Sequence, residues 1–199
     1  MSAGLRAGAP LLALALLLGG CAGTPEPAPS ASPSADGLTG EVTVFAAASL
    51  SSAFDEIAEA FADEHPGVTV APIVYDGSSV LVTQLTEGAH ADVLATADER
   101  TMQTLVDADL ATDPTPFATN TLVVAMPEGN PADIETLADL ADATTVLCAV
   151  EVPCGSASQK LLDAAGVTVT AASLEQNVTA VLTKVVAGEA DAGLVYATD

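Results

Sequence analysis

The residues best placed to do chemistry in this chain are small and uncharged. Ser49 closes a β-branched and aromatic run, Val42-Thr43-Val44-Phe45, that passes through Ala46, Ala47 and Ala48. Ser78 and Ser79 follow Tyr75-Asp76-Gly77, Cys154 follows Val152-Pro153, and Val178 follows Asn177. Each stands where an extended run gives way to helical spacing. A helix start leaves backbone N–H groups without partners inside the helix, and it favours an anion. Ser49 reads as an N-cap whose hydroxyl faces such groups, and Ala46–Ala48 let a guest approach the backbone. The competing chemistry is nucleophilic, since hydrolase serines also sit at strand–helix corners. Against it, the chain lacks GxSxG. Its histidines, His65 before Pro66-Gly67 and His90 after Gly88-Ala89, read as surface loop residues rather than bases or metal ligands. Nucleotide-binding glycine patterns, GxGxxG or a phosphate loop, are also absent.

Charge narrows the choice of guest. The 199 residues carry a formal net charge of −23, and the only basic residues are Arg6, Arg100, Lys160 and Lys184. Nucleic acid is a poor partner for such a surface, because phosphate binding needs clustered Lys and Arg. The same charge repels a small anion at long range, where salt screens it. An anion site here must therefore act at short range, through neutral donors.

The elements that hold these residues begin after a leader. Arg6 and the apolar stretch Leu11–Leu18, too short for a permanent membrane span, read as a signal peptide over residues 1–20. Leu18-Gly19-Gly20-Cys21 has the form of a lipobox, so Cys21 is expected to be the lipidated anchor of a protein held at the outer face of a membrane, with a plain secretory signal and an incidental cysteine the weaker reading. Residues 21–40, rich in Pro, Ser and Ala, read as a disordered tether. The remaining pair, Cys148 and Cys154, is a candidate disulfide in that compartment, with a metal site the weaker reading.

From residue 41 onward strands and helices alternate. The first helix carries Leu50, Ala53, Phe54, Ile57, Ala58 and Phe61 at helical spacing and stops at Glu64-His65-Pro66-Gly67. Further strands are predicted over Val68–Val74, Ala91–Ala95, Asn120–Ala125, Thr145–Val150, Val167–Val169 and Ala192–Ala197. Helices are predicted from Ser78 to Gly88, Asp98 to Asp109, Asp133 to Ala141, Pro153 to Ala165 and Val178 to Ala187. This alternation implies an α/β fold with mostly parallel sheets flanked by helices. In open α/β sheets ligands sit beyond the carboxyl ends of strands. The corners at Ser49, Ser78, Cys154 and Val178 all lie at such ends.

With those elements placed, the chain resembles a known family. VFAAASL at Val44–Leu50, DGSSVLVTQLTEGAHADVLATAD at Asp76–Asp98, EVPCGSAS at Glu151–Ser158 and DAGLVYATD at Asp191–Asp199 are similar to the molybdate-binding protein of molybdenum ABC transporters. The resemblance implies a two-lobed, type II periplasmic-binding-protein-like fold with the ligand in the cleft between lobes. It assigns residues 41–119 to part of lobe 1, residues 120–196 to lobe 2, and residues 197–199 to the start of a return crossover. Lobe 1 is then expected to be incompletely covered, because the chain ends early relative to the family. Carried over position by position, the resemblance makes Ser49, Ser78 and Tyr196 hydroxyl donors and Cys154 and Val178 backbone N–H donors. Cys154 departs from the alanine often found there. A set of neutral donors suits a fully deprotonated tetrahedral oxyanion such as molybdate or tungstate. A carboxylate would repel it, and Asp76 is expected to point away. The implied protein is a monomeric, lipid-anchored receptor, not an enzyme. It needs no cofactor and delivers its oxyanion to ABC transporter permease subunits. A receptor for sulfate or another oxyanion is the alternative, and a secreted serine hydrolase is the weaker one.

Overall fold

A computed structural model describes residues 37–199. The leader over residues 1–20, Cys21 and most of the tether over residues 21–40 lie outside the described residues. Residues 37–39 have no regular structure, and the first strand begins at Gly40. Among the described residues, no helix is long and apolar enough to cross a membrane.

The first half runs β1 (Gly40–Val42), β2 (Val44–Ala47), a 3-10 turn (Ala48–Leu50) and α1 (Ser51–Glu64). It continues through β3 (Val68–Val70), β4 (Val74–Asp76), α2 (Ser78–Thr86), β5 (Val93–Ala95) and α3 (Glu99–Asp107). All its pairings are parallel: β1 with β3, and β2 between β4 and β5. The second strand expected over Val68–Val74 is divided in two. Val42 pairs with Val70 but Phe45 with Val74, so the β3–β4 side holds one extra residue. It sits at Ala71-Pro72-Ile73, where Pro72 has no N–H for the ladder.

The second half contains β6 (Leu122–Ala125), a 3-10 turn (Leu137–Ala141), β7 (Thr145–Cys148), α4 (Pro153–Ala165), β8 (Ser173–Glu175), α5 (Val178–Val186) and β9 (Ala192–Tyr196). Its sheet has the order β6-β9-β7-β8, with β6 antiparallel to β9 and the other pairs parallel. Alternate residues of β7 and β9 enter different cores, as the two-residue period of a strand requires. Val146 and Val195 join Val181 and Val185 of α5, while Leu147 and Leu194 join Leu140 and Leu162. The fold is the expected mixed α/β arrangement with sheets flanked by helices.

Two expected elements differ. The helix predicted from Asp133 is only the short 3-10 turn, because Asp133 has φ 51, outside the right-handed helical region. Asn130 also takes up the Ile134 N–H and carbonyl through its side chain, and a Thr136–Asp139 capping box starts the turn. The strand expected over Val167–Val169 lies instead at β8. Val167 and Val169 pack against the apolar core on the Leu162 side, while residues 173–175 supply the register to β7. The helix stop at Gly166 is as read, with φ 67, a conformation glycine adopts without penalty.

Candidate functional site

Four strand-to-helix corners lead into the site. At the first, β2 is wholly buried and gives way to the 3-10 turn, so α1 starts two residues later than Ser49. Ser49 is therefore not the N-cap expected from the sequence. The capping positions are Ala47 and Leu50, and neither caps through its side chain. A hydroxyl not committed to its own helix remains available to a guest. At the second, Gly77 precedes Ser78, the first residue of α2, which is 1% exposed. The Ala97 N–H donates to Ser78 Oγ at 2.9 Å. A hydroxyl that accepts on its oxygen keeps its own proton to donate.

The other two corners belong to the second sheet. β7 ends at Cys148 and the chain re-enters a helix at Pro153, a residue suited to the first helical position because it has no N–H to lose. Cys154 follows it. A disulfide joins Cys154 to Cys148. β8 ends at Glu175, and Asn177 caps α5, its Oδ1 accepting the Ala180 N–H at 2.9 Å. Val178 is then the first residue of that helix.

Ser49, Ser78, Cys154, Val178 and Tyr196 line one small cleft of about 20 Å³, together with Ala47, Ala48, Ala97 and Asp76 among others. The starts of α2, α4 and α5 border it, and a helix start carries N–H groups without intrahelical partners and the positive end of the helix dipole. Neither Lys nor Arg lines it. Tyr196, at the end of β9, has its hydroxyl pKa raised to about 12, first by burial and then by the nearby carboxylates of Asp98 and Asp199. It therefore stays a neutral donor across the physiological range. The histidines are elsewhere: His65 packs against Phe61 with the rings tilted by 50°, and His90 lies 3.9 Å from Asp92.

Asp76 corrects an expectation. It lines the cleft instead of pointing away from it. Its Oδ1 accepts the Gly77 N–H at 2.7 Å and Asn177 Nδ2 at 3.1 Å, so it joins the end of β4 to the start of α5. Those two donors offset part of its negative charge. Further bonds join the two halves: Ser79 Oγ and Arg100 Nη2 both donate to the Glu151 carbonyl, at 3.0 and 3.2 Å. A Cβ on Gly77 would run into the Gln176 carbonyl oxygen, so only glycine permits this approach of the two backbones. The roles of Asp76, Gln176 and the Asn177 amide nitrogen were not readable in the chain. A capping asparagine announces its oxygen, but its nitrogen's partner lies 101 residues away.

A sequence model described as bacterial extracellular solute-binding protein matches residues 42–199. The molybdate-binding protein ModA of Mycobacterium tuberculosis is 45% identical over 192 residues, covering 94% of this chain and 73% of that relative. The putative ABC transporter substrate-binding lipoprotein YvgL of Bacillus subtilis is 30% identical over 172 residues, covering 79% of this chain and 63% of that relative. Among solved structures, the Azotobacter vinelandii periplasmic molybdate-binding protein superposes with a TM-score of 0.64 at 20% identity, covering 78% of this chain and 71% of that one. At that identity the likeness is one of fold.

Proposed function

Since the chain belongs to the bacterial extracellular solute-binding proteins, in the group of the molybdate-binding proteins, we propose that its cleft captures molybdate or tungstate outside the cytoplasm and presents it to an ABC transporter permease. Lipidation at Cys21 holds the protein to the membrane as a monomer, and the tether gives the folded part its reach. The protein acts by binding and release, without a cofactor and without chemistry on the guest.

One observation carries this reading: five residues from separate stretches, Ser49, Ser78, Cys154, Val178 and Tyr196, meet at a single cleft. Three hydroxyls and two helix-start N–H groups can each donate a hydrogen bond. A fully deprotonated tetrahedral oxyanion presents acceptors only. Helix dipoles add favourable potential without a cation. Residues 41–119 and 120–196 act as the two lobes, with bound oxyanion favouring the arrangement in which they meet.

Calorimetric titration with molybdate, tungstate, sulfate and phosphate tests the assignment. Molybdate and tungstate should bind alike and far more tightly than the other two. Each hydroxyl donates to a charged guest, so Ser49→Ala or Tyr196→Phe should cost about 1.5–3 kcal/mol, roughly ten- to a hundredfold in affinity. No binding of molybdate, or equal binding of sulfate, ends the specific proposal. A second reading rests on Asp76: a carboxylate lining the cleft suits an oxyanion that keeps a proton, such as hydrogen phosphate. Tight phosphate binding that Asp76→Asn abolishes would favour it.

A further inference from the structure

We propose that the Cys148–Cys154 disulfide is a positioning device for the anion cleft, fixing both the Cys154 N–H that lines it and the Glu151 carbonyl that joins the two halves; the inference rests on the oxyanion-binding reading above. Cys148 closes β7 and Cys154 is the second residue of α4, and both are 3% exposed. The bridge thus ties the end of a central strand to the start of a helix bordering the cleft. The residues it encloses, 149–153, are where the second half meets the first. Within them the Glu151 carbonyl receives Ser79 Oγ and Arg100 Nη2, and Pro153 lines the cleft beside Cys154.

The same loop is held from within. The Val152 N–H donates to the Ala149 carbonyl at 3.1 Å, and the buried Ser158 hydroxyl donates to the Cys154 carbonyl at 2.7 Å. Gly155 sits where a Cβ would meet the carbonyls of Ala149 and Cys148, so the chain folds tightly back over the strand it left. The Ala149 N–H also donates to the Glu175 carbonyl at 2.8 Å, two residues before Asn177 and the start of α5. A displacement at Cys148 therefore reaches both second-half N–H donors, Cys154 through the bridge and Val178 through β8.

A disulfide spanning so few residues restricts the unfolded chain less than a long-range one. Its effect falls on local geometry, and here that geometry is the cleft. Cys148 is a positioning residue: it lies behind the site and acts through Cys154. Reduction converts the bridge to two thiols, taking two electrons and two protons from a dithiol that becomes a disulfide in turn.

The test is calorimetric titration of the full chain with molybdate, for wild type and for Cys148→Ala/Cys154→Ala, each with and without dithiothreitol. The temperature is kept well below both melting transitions, with folding checked by circular dichroism. Loss of the bridge should weaken binding about tenfold, the equivalent of one charge-assisted hydrogen bond, and should speed dissociation. Wild type unfolded in urea, reduced with dithiothreitol and refolded in its presence should be weakened by the same factor, and the same treatment should leave the variant unchanged. A folded variant that binds within about twofold of wild type overturns the inference, because a purely stabilising bridge would lower the melting point and leave the affinity alone. If the double variant does not fold, Cys148→Ser/Cys154→Ser and the reduced wild type serve for the same comparison. If wild type itself ignores molybdate, the oxyanion reading fails separately. Hydrogen exchange of the ligand-free protein then decides: faster exchange at the Ala149 amide on reduction supports the positioning role, and unchanged exchange refutes it.

Discussion

Both halves of the molecule present the same kind of corner to the cleft, a strand ending in a turn and a helix start, but they hold it differently. In the second half, α5 buries Val178, Val181 and Val185. Apolar cores lie on both faces of its sheet, and Leu140, Leu194 and Val181 are fully buried. In the first half, α1 buries none of its residues, and Ile57 and Phe61 remain 59% and 37% exposed. Its packing is concentrated at α2 and α3, through Leu81, Val82 and Leu105. Ser49 is placed by a backbone turn at the end of a buried strand, and Cys154 by a core, a proline and a covalent bridge. The position of a cleft residue thus depends on the strand end behind it, and a helix can border a cleft while contributing little to the core.

Four experiments would break or sharpen that contrast. The largest effect is expected in the core. Leu194→Ala removes a fully buried side chain of the second sheet and should cost about 2–5 kcal/mol of unfolding free energy. Ile57→Ala, on the exposed side of α1, should stay within about 0.5 kcal/mol. Urea denaturation of both variants measures the difference, and comparable losses would mean that α1 contributes more than its exposure indicates.

Gly77→Ala addresses the junction between halves. Gly77 has φ −59 and ψ 133, a conformation alanine adopts freely, so any cost comes from the neighbouring backbone and not from local strain. The added Cβ meets the Gln176 carbonyl oxygen, so closure around an oxyanion should be impaired. A stability loss of about 1–3 kcal/mol together with weaker oxyanion binding is the expected pair of results.

The third experiment uses one helix cap from each half. Asp98 caps α3 through the Thr101 N–H at 2.7 Å. Asp98→Ala and Asn177→Ala should each cost about 1 kcal/mol of stability. Only Asn177→Ala removes a bond across the cleft as well, to Asp76, so it alone should show a further loss of oxyanion affinity by calorimetry.

The smallest effect concerns pH. Hydrogen bonds from Lys184, at 2.6 Å, and then from Ser173 hold the Glu175 carboxyl below its usual 4.5, against the opposing effect of burial. A pKa lower in the folded state contributes stability that is fully present above the unfolded value and is lost as pH falls through the folded one. Thermal melts should therefore show second-half stability declining below about pH 4.5. Lys184→Met should flatten that decline by about 0.5 kcal/mol, a modest amount for a pair partly open to solvent.

Much of the architecture was legible in the chain because its cause is local. Periodicity placed α2 through α5 to within a few residues, Asp98 and Asn177 showed as caps, and Gly166 showed as a stop. The misses share another cause. Asp133 could begin a helix by composition, and only its left-handed backbone, held by the Asn130 side chain, forbids it. Val167–Val169 has the residue types of a strand, but β7 pairs with residues 173–175 instead. Ser49 has the type of an N-cap, yet a 3-10 turn intervenes before α1.

By itself, then, the sequence determined the alternation of strands and helices, the corners where strands give way to helices, and an acidic chain with few basic residues. These follow from residue type and spacing within a dozen residues. Tertiary structure alone decided that the corners meet at one cleft, that Asp76 turns into it toward Asn177, and that the Glu151 carbonyl becomes the acceptor joining the halves. Those outcomes depend on groups some 50 to 100 positions apart being brought within hydrogen-bonding distance, which no local propensity encodes.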